Sequence, residues 1–272
     1  ARIDEIPEGP RGVLMLASVL GPRWPARLWH ALLRPEERDD AASLVAAGHL
    51  EARGSDVVGF RNAVLQEALY AQMLQPQRRR LHARVAANPE VASLPPAWQA
   101  RQFEASGARD EARGAWIRAV REALREGAAE EALGLLDRQL PTADQADVLE
   151  LRIRALLDLG RIREALDVVS RILDGDQGSR PSQPARDLPV SLLVLVSRAY
   201  DKAGLWAEGR ALLADALEGR EEGPGTARLR AELAWLCMRL SCLREARRVA
   251  ERALRGFLEA GLREDAIVVA RL

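Results

Sequence analysis

The chain has 272 residues, with 40 Lys plus Arg balancing 40 Asp plus Glu, and 48% of it is apolar while only 4% is aromatic. A formal net charge of zero excludes a globally basic chain drawn onto nucleic acid or anionic membrane by bulk electrostatics. The length suits two modest domains or one domain plus a repeat array, and the Ala, Leu, Val, Arg and Glu bulk is a helix-forming mixture, so a mainly all-α, soluble protein is expected.

In chain order, the pattern predicts a helix from Arg11 to Leu20, a break at Gly21-Pro22, a helix entered at Pro25, and a third from Pro35 through Ala47 that stops at Gly48. The apolar run Val13 to Leu20 is too short to span a membrane and continues into helical pattern. No membrane contact and a cytoplasmic location are therefore expected. His49 to Arg53 and Val57 to Phe60 flank Gly54-Ser55-Asp56, which predicts a small two-stranded β-hairpin. Three helices and a hairpin follow the order of a winged helix, which this module resembles. Two further helices are predicted over Asn62 to Leu74 and Pro76 to Ala87, and the pattern breaks from Asn88 to Pro96. The expected boundary closes a winged-helix-like module at residues 1–94 and opens a repeat array at 95–272.

Beyond Trp98 a phrase recurs: a small residue, then an acid four positions on, then usually Ala. The small residues are Gly107, Gly127, Gly160, Gly204, Ser241 and Gly261. The acids are Glu111, Glu131, Glu164, Glu208, Glu245 and Asp265. From Gly127 to Ser241 the intervals are 33, 44 and 37 residues, against about 34 for a tetratricopeptide unit. The long interval has a visible cause in Asp174 to Asp187, a Gly-, Ser-, Pro- and Gln-rich stretch expected as an inserted loop. Each small residue is expected to close a tight turn between paired helices. The acid then suits the positive end of the next helix dipole. Hairpins are predicted from 110–126 with 129–139, 144–159 with 162–173, 188–203 with 206–217, and 226–240 with 243–259. The segment 263–272 opens a fifth. Since it has no stop signal and the first residue is Ala, a larger protein is expected around this segment.

The array resembles tetratricopeptide (TPR) repeats through Trp116 and Ala132, Ala165, Tyr200 and Ala216, then Leu233, Ala234, Ala246 and Ala253; Arg152 and Gly209 depart from that pattern. Phe60 to Tyr70 followed by Arg78 to Ala86, with Tyr70, Arg78, His82 and Ala86 at matching spacing and Asn62 in place of a His, resembles a junction in bacterial STAND/AAA-type signal-transduction ATPases. There a winged helix follows a nucleotide-binding domain and a TPR sensor follows the winged helix. The resemblance implies an ATPase domain upstream, against which the winged helix would pack. It also implies an array that receives a protein or effector.

No chemistry-bearing motif competes with that reading. A phosphate-binding loop needs a Lys after its second Gly, and the lone lysine, Lys202, follows Tyr200-Asp201. His30, His49 and His82 lack acidic or Cys companions at ligand spacing, and Cys237 and Cys242 read as buried reduced thiols. Asp39-Asp40, Glu130-Glu131 and Glu221-Glu222 suit helix starts and polar loops rather than acid-base work. The segment is therefore expected to be no enzyme and to need no cofactor or metal. The rival function is a DNA-binding transcriptional regulator, but the helix that would enter the groove carries Glu36, Glu37, Asp39 and Asp40 against Arg38, so nucleic acid is not the expected partner. The candidate interaction residues are the cluster Arg78, Arg79, Arg80 and Arg84, a dock for an acidic neighbour, together with Trp206 and Tyr200 as anchors for a partner in the groove.

Overall fold

The computed structural model describes residues 6–54, 56–140, 145–174 and 185–270. It is mainly helical, with one small sheet near the N-terminus. Close contacts divide the chain into two compact units, one ending at Ala119 and one beginning at Val120.

The first unit opens with α1 (Glu8–Ser18), β1 (Arg23–Pro25), α2 (Ala26–Leu32), α3 (Glu37–Ala46), β2 (Leu50–Arg53) and β3 (Val57–Phe60). The expected hairpin forms, but the sheet has three strands rather than two, antiparallel and in the order β1-β3-β2. The third strand hid in the Gly21-Pro22 break. It is three residues long and ends in Pro25, which an edge position tolerates because Pro has no N–H to give a central ladder. Ser55, in the expected turn, lies outside the described residues. Trp24 of β1 packs its ring 5.4 Å from Trp29 and 5.7 Å from Phe60. The core gathers around this cluster with Leu14, Leu16, Leu28, Leu44, Leu50 and Leu69, all of them buried. The run Val13 to Leu20 is thus a core helix and the turn that ends it.

The unit continues with α4 (Ala63–Gln72), α5 (Gln75–Ala86), a 3-10 turn over Pro89–Ser93, and α6 (Pro96–Ser106). The sequence boundary at 94/95 falls inside this unit. Helices α5 and α6 pack side by side across it, and Leu94 belongs to the core. Helix α7 (Arg109–Arg125) follows.

The second unit contains α8 (Ala129–Gln139), α9 (Ala146–Asp158), α10 (Ile162–Asp174), α11 (Val190–Ala203), α12 (Trp206–Leu217), α13 (Pro224–Arg239), α14 (Leu243–Glu259) and α15 (Arg263–Ala270). These are the predicted hairpins, with boundaries shifted by a few residues at most. Helices pair in sequence, and α11 also packs on both α9 and α13, which places these three odd-numbered helices in one layer. Most of the expected inserted loop, residues 175–184, lies outside the described residues.

All six turn residues have positive φ: Gly107 at 86°, Gly127 at 78°, Gly160 at 71°, Gly204 at 76°, Gly261 at 73° and Ser241 at 60°. Each donates its N–H to a carbonyl three residues back, and the next residue donates to a carbonyl five back, as in Arg161 N to Leu156 O at 2.8 Å and Cys242 N to Cys237 O at 2.8 Å. This pair of bonds satisfies the last carbonyls of one helix through a left-handed residue. The residue after the turn then accepts the first bond of the next helix, as Ala165 N to Arg161 O at 3.1 Å and Ala246 N to Cys242 O at 2.9 Å. Ala128, Leu205 and Cys242, which head α8, α12 and α14, provide no side-chain cap. First-turn Glu130, Glu131, Glu208 and Glu245 therefore face the helix dipole in place of a capping hydroxyl. Small residues stand where paired helices meet: Ala132 and Ala165 are fully buried. Gly209 goes further, since a Cβ there would sit 3.0 Å from Leu236 Cδ1 and 3.1 Å from Tyr200 Cβ, so Gly replaces the usual Ala for lack of space.

Ser241 is the sole non-glycine with positive φ among the described residues. Left-handed backbone costs an L-residue about 1–2 kcal/mol, and Gly loses part of that gain to unfolded-state entropy. Ser241→Gly is expected to raise stability by about 0.5–1 kcal/mol, read as a higher urea midpoint with unchanged slope. An unchanged or lower midpoint would contradict the turn geometry.

Candidate interaction groove

Within the second unit the odd-numbered layer lines a groove of about 730 Å³, with side chains from the last turns of α7 and from α9, α11 and α13. Its apolar lining is Leu124, Leu151, Leu157, Val190, Val194 and Leu195, with no aromatic side chain. Around it stand the cations Arg121, Arg125, Arg154, Arg198, Lys202 and Arg228, against two acids, Glu150 and Asp158. The chain as a whole is neutral, so this is a local concentration of positive charge.

The local partners only partly offset it. Arg198 Nη2 lies 3.1 Å from Glu232, and Arg228 stands 3.9 Å from Asp265. Arg154 reaches Asp158 at 4.0 Å, an exposed pair of the kind worth little in water. Lys202 Nζ donates to Leu157 O at 3.2 Å. Even with Glu232 and Asp265 counted, the six groove cations exceed the four acids near them. Arg121 and Arg125 are exposed and make no ion pair among the described residues.

Five of the six groove cations, all but Arg228, fall at two repeat positions. Arg121, Arg154 and Arg198 stand six residues before Gly127, Gly160 and Gly204, and Arg125 and Lys202 stand two before. In the next repeat the equivalents are Trp235 and Arg239. Six and two residues before a helix end lie on one face, since residues four apart are neighbours. Neighbouring odd helices therefore present one arginine each, in register. Arg121, Arg125, Arg154, Arg198 and Arg228 are not among the interaction residues expected from the sequence.

The residues that were singled out have other surroundings. Trp206 Nε1 donates to Asp201 O at 3.2 Å, and the Arg239 guanidinium lies 4.6 Å from the Trp206 ring centroid. Asp201 also accepts from Trp235 Nε1 at 2.9 Å and pairs with Arg239 at 3.2 Å. Tyr200 packs beside Gly209. Trp206 and Tyr200 thus belong to the α11–α12 turn and are not part of the groove lining.

The arginine cluster of α5 holds the first unit together. Arg84 makes a two-pronged pair with Glu37, at 2.9 and 2.5 Å, and donates to Leu32 O, joining α5 to the end of α2 and the start of α3. That pairing holds the Glu37 carboxyl below its ordinary pKa, with burial opposing. Arg79 donates to Ser106 O at 2.8 Å at the end of α6, and Arg78 donates to Ala71 O at 2.8 Å at the end of α4 while lying 4.6 Å from the Tyr70 ring centroid. Arg80 is exposed.

Nearby, Tyr70 Oη lies 3.1 Å from His82 Nε2, His82 Nδ1 lies 2.7 Å from Gln102 Oε1, and Gln102 Nε2 donates to Val19 O at 3.0 Å. Because Gln102 spends its amide N–H on a carbonyl, its oxygen faces His82 as an acceptor. Nδ1 therefore carries the proton, and Nε2 accepts from Tyr70. Burial, with Arg78 adding to it, pushes the His82 pKa below its ordinary value, and the Gln102 bond opposes this. The junction residues Tyr70, Arg78 and His82 are thus brought together as a packed link among α1, α4, α5 and α6.

The remaining reactive side chains do not assemble. Cys237 is buried as expected, but Cys242, at the turn that heads α14, is exposed; both are free thiols. Among the described residues no group of three or more His, Cys, Asp or Glu is placed to hold a metal, and no helix is long and apolar enough to cross a membrane.

No family model matches the sequence, and no curated protein does. The chain is similar to the solved structure of a signal transduction ATPase with numerous domains (STAND) protein with a tetratricopeptide repeat sensor from Pyrococcus horikoshii. The TM-score is 0.44 at 12% identity, covering 98% of this chain and 47% of that one. The chain thus spans about half the length of that protein.

Proposed function

We propose that this segment is a non-catalytic interaction platform: the odd-helix groove of a TPR-like array receives a protein or peptide, and the winged-helix-like unit passes that event to a nucleotide-binding domain of the same protein. The observation that carries the reading is the groove itself, an apolar floor with a charged rim built at equivalent positions of successive repeats. Binding sites are concave, mostly apolar and edged by a few placed polar groups, and this one has those features. The second half of the reading, the relay, rests on the residues that resemble the STAND junction, here Tyr70, Arg78 and His82. The order α1-β1-α2-α3-β2-β3 supports the winged-helix reading of the first unit.

The DNA-binding alternative finds less support. The exposed face of α3 presents Asp39, Ala42, Ser43, Val45 and Ala46, with Arg38 its single cation, and Val45 is 42% exposed. Such a face offers phosphates little to bind.

Selection of a displayed library of random dodecamer peptides on the intact chain tests the reading. Peptides are expected to be enriched on the wild type and lost on Leu195→Arg, which fills the groove floor. Enrichment indifferent to that substitution, or none at all, would contradict it.

A further inference from the structure

The cations of the groove are spaced as well as concentrated. Packed helices lie about 8–10 Å apart, so Arg154 and Arg198 on the packed helices α9 and α11 form rungs of a ladder with about that separation, and Arg121 of α7 lines the same groove at the equivalent repeat position. A peptide in the polyproline II conformation advances about 3.1 Å per residue with three residues per turn, so side chains three apart share a face about 9 Å apart. An acid at every third residue therefore meets one arginine per repeat.

The floor decides between anions. Sequence-tolerant binding of single-stranded nucleic acid relies on aromatic platforms for the bases, and this lining has none; its six apolar side chains are all Leu or Val. Aliphatic side chains between the carboxylates fit that floor. Guanidinium groups also match carboxylates with two parallel hydrogen bonds, which fixes register in addition to charge. Resting on the interaction reading above, we infer that the occupant of the groove is an extended acidic peptide with carboxylates near every third position and aliphatic residues between them.

The fourth repeat changes the chemistry at one end. Trp235 replaces the arginine of the ladder, is 38% exposed, and is held by Asp201 through its indole N–H. The charged track therefore covers the repeats turned by Gly127, Gly160 and Gly204.

The test uses fluorescein-labelled dodecamers and the intact chain, read by anisotropy. The probes are a peptide with Glu at every third position and Leu or Ala between, the same peptide with Gln for Glu, and a single-stranded dodecanucleotide. The Glu peptide is expected to bind about tenfold more tightly than the Gln form, and more weakly as salt rises. The double variant Arg154→Gln with Arg198→Gln is expected to lose about tenfold, while Arg163→Gln with Arg248→Gln, exposed positions outside the lining, leaves affinity unchanged. All four arginines are exposed, and circular dichroism checks that both double variants stay folded. Equal affinity for the Glu and Gln peptides, equal loss in both double variants, or tighter binding of the oligonucleotide would overturn the inference. So would no binding of any probe. If the library selection still returns groove-dependent peptides in such a case, the interaction reading stands and the acidic occupant alone falls.

Discussion

Replacing Leu193 with Ala is expected to lower the stability of the second unit by about 3 kcal/mol, within the range of about 2–5 for fully buried Leu-to-Ala changes. The size follows from where α11 stands. It packs against α9, α10, α12 and α13, and Leu192, Leu193, Val194, Val196, Ser197 and Ala199 are all buried, so little of its circumference meets solvent. Surrounded in this way, the site cannot collapse inward from a free surface to fill the gap. In a repeat array each unit depends on its neighbours, so the loss is expected to spread through α9 to α13 as faster amide exchange, while the amides of α1 to α4 keep their protection. Loosening confined to α11, or a loss below about 1 kcal/mol, would contradict this packing.

His82→Phe is expected to cost about 2 kcal/mol in the first unit and to alter the pH dependence of folding. The ring shape is preserved, but Gln102 Oε1 is left buried without a donor and Tyr70 Oη loses its acceptor, and an unsatisfied buried polar group costs about 1–3 kcal/mol. The sign of the pH effect follows from the downward shift. Below the ordinary value of 6.5 the unfolded chain takes up a proton at His82 more readily than the folded chain does, so acid favours unfolding. Burial of the ring is the main cause, and a proton would also place a charge beside Arg78. His82 contributes stability that is fully present above about pH 7 and is lost as pH falls through 6.5. The wild type is expected to weaken between pH 7 and pH 5.5 more than His82→Phe does, measured by urea unfolding at each pH. Parallel curves would show that the histidine is not held neutral.

The hairpins were legible because a left-handed turn demands Gly or a tolerant small residue, and the helix entering after it demands a small residue at the point of close approach. Those two requirements leave marks at fixed spacing, and the marks at Gly127, Gly160, Gly204 and Ser241 located helix ends to within a few residues. Strand β1 left no such mark, because Arg23 and Trp24 fall between the Gly21-Pro22 break and Pro25, which reads as a helix entry. The groove was hidden for a different reason. Arginine is so abundant in this chain that Arg121, Arg154 and Arg198 do not stand out until each is counted back from its turn. Only the packing of α9, α11 and α13 into one layer turns that register into a surface. The converse holds for Arg78, Arg79 and Arg84, which look like an exposed basic face in sequence. Their acceptors, Ala71, Ser106 and Leu32 with Glu37, lie at helix ends that only the fold brings near.

Hydrogen exchange of the intact chain, with and without a groove-selected peptide, locates the face that binds. Slower exchange on binding is predicted in α9, α11 and α13, whose shared face lines the groove, with α10, α12 and α14 unchanged. Protection in the even-numbered helices with none in α9 and α11 would contradict it.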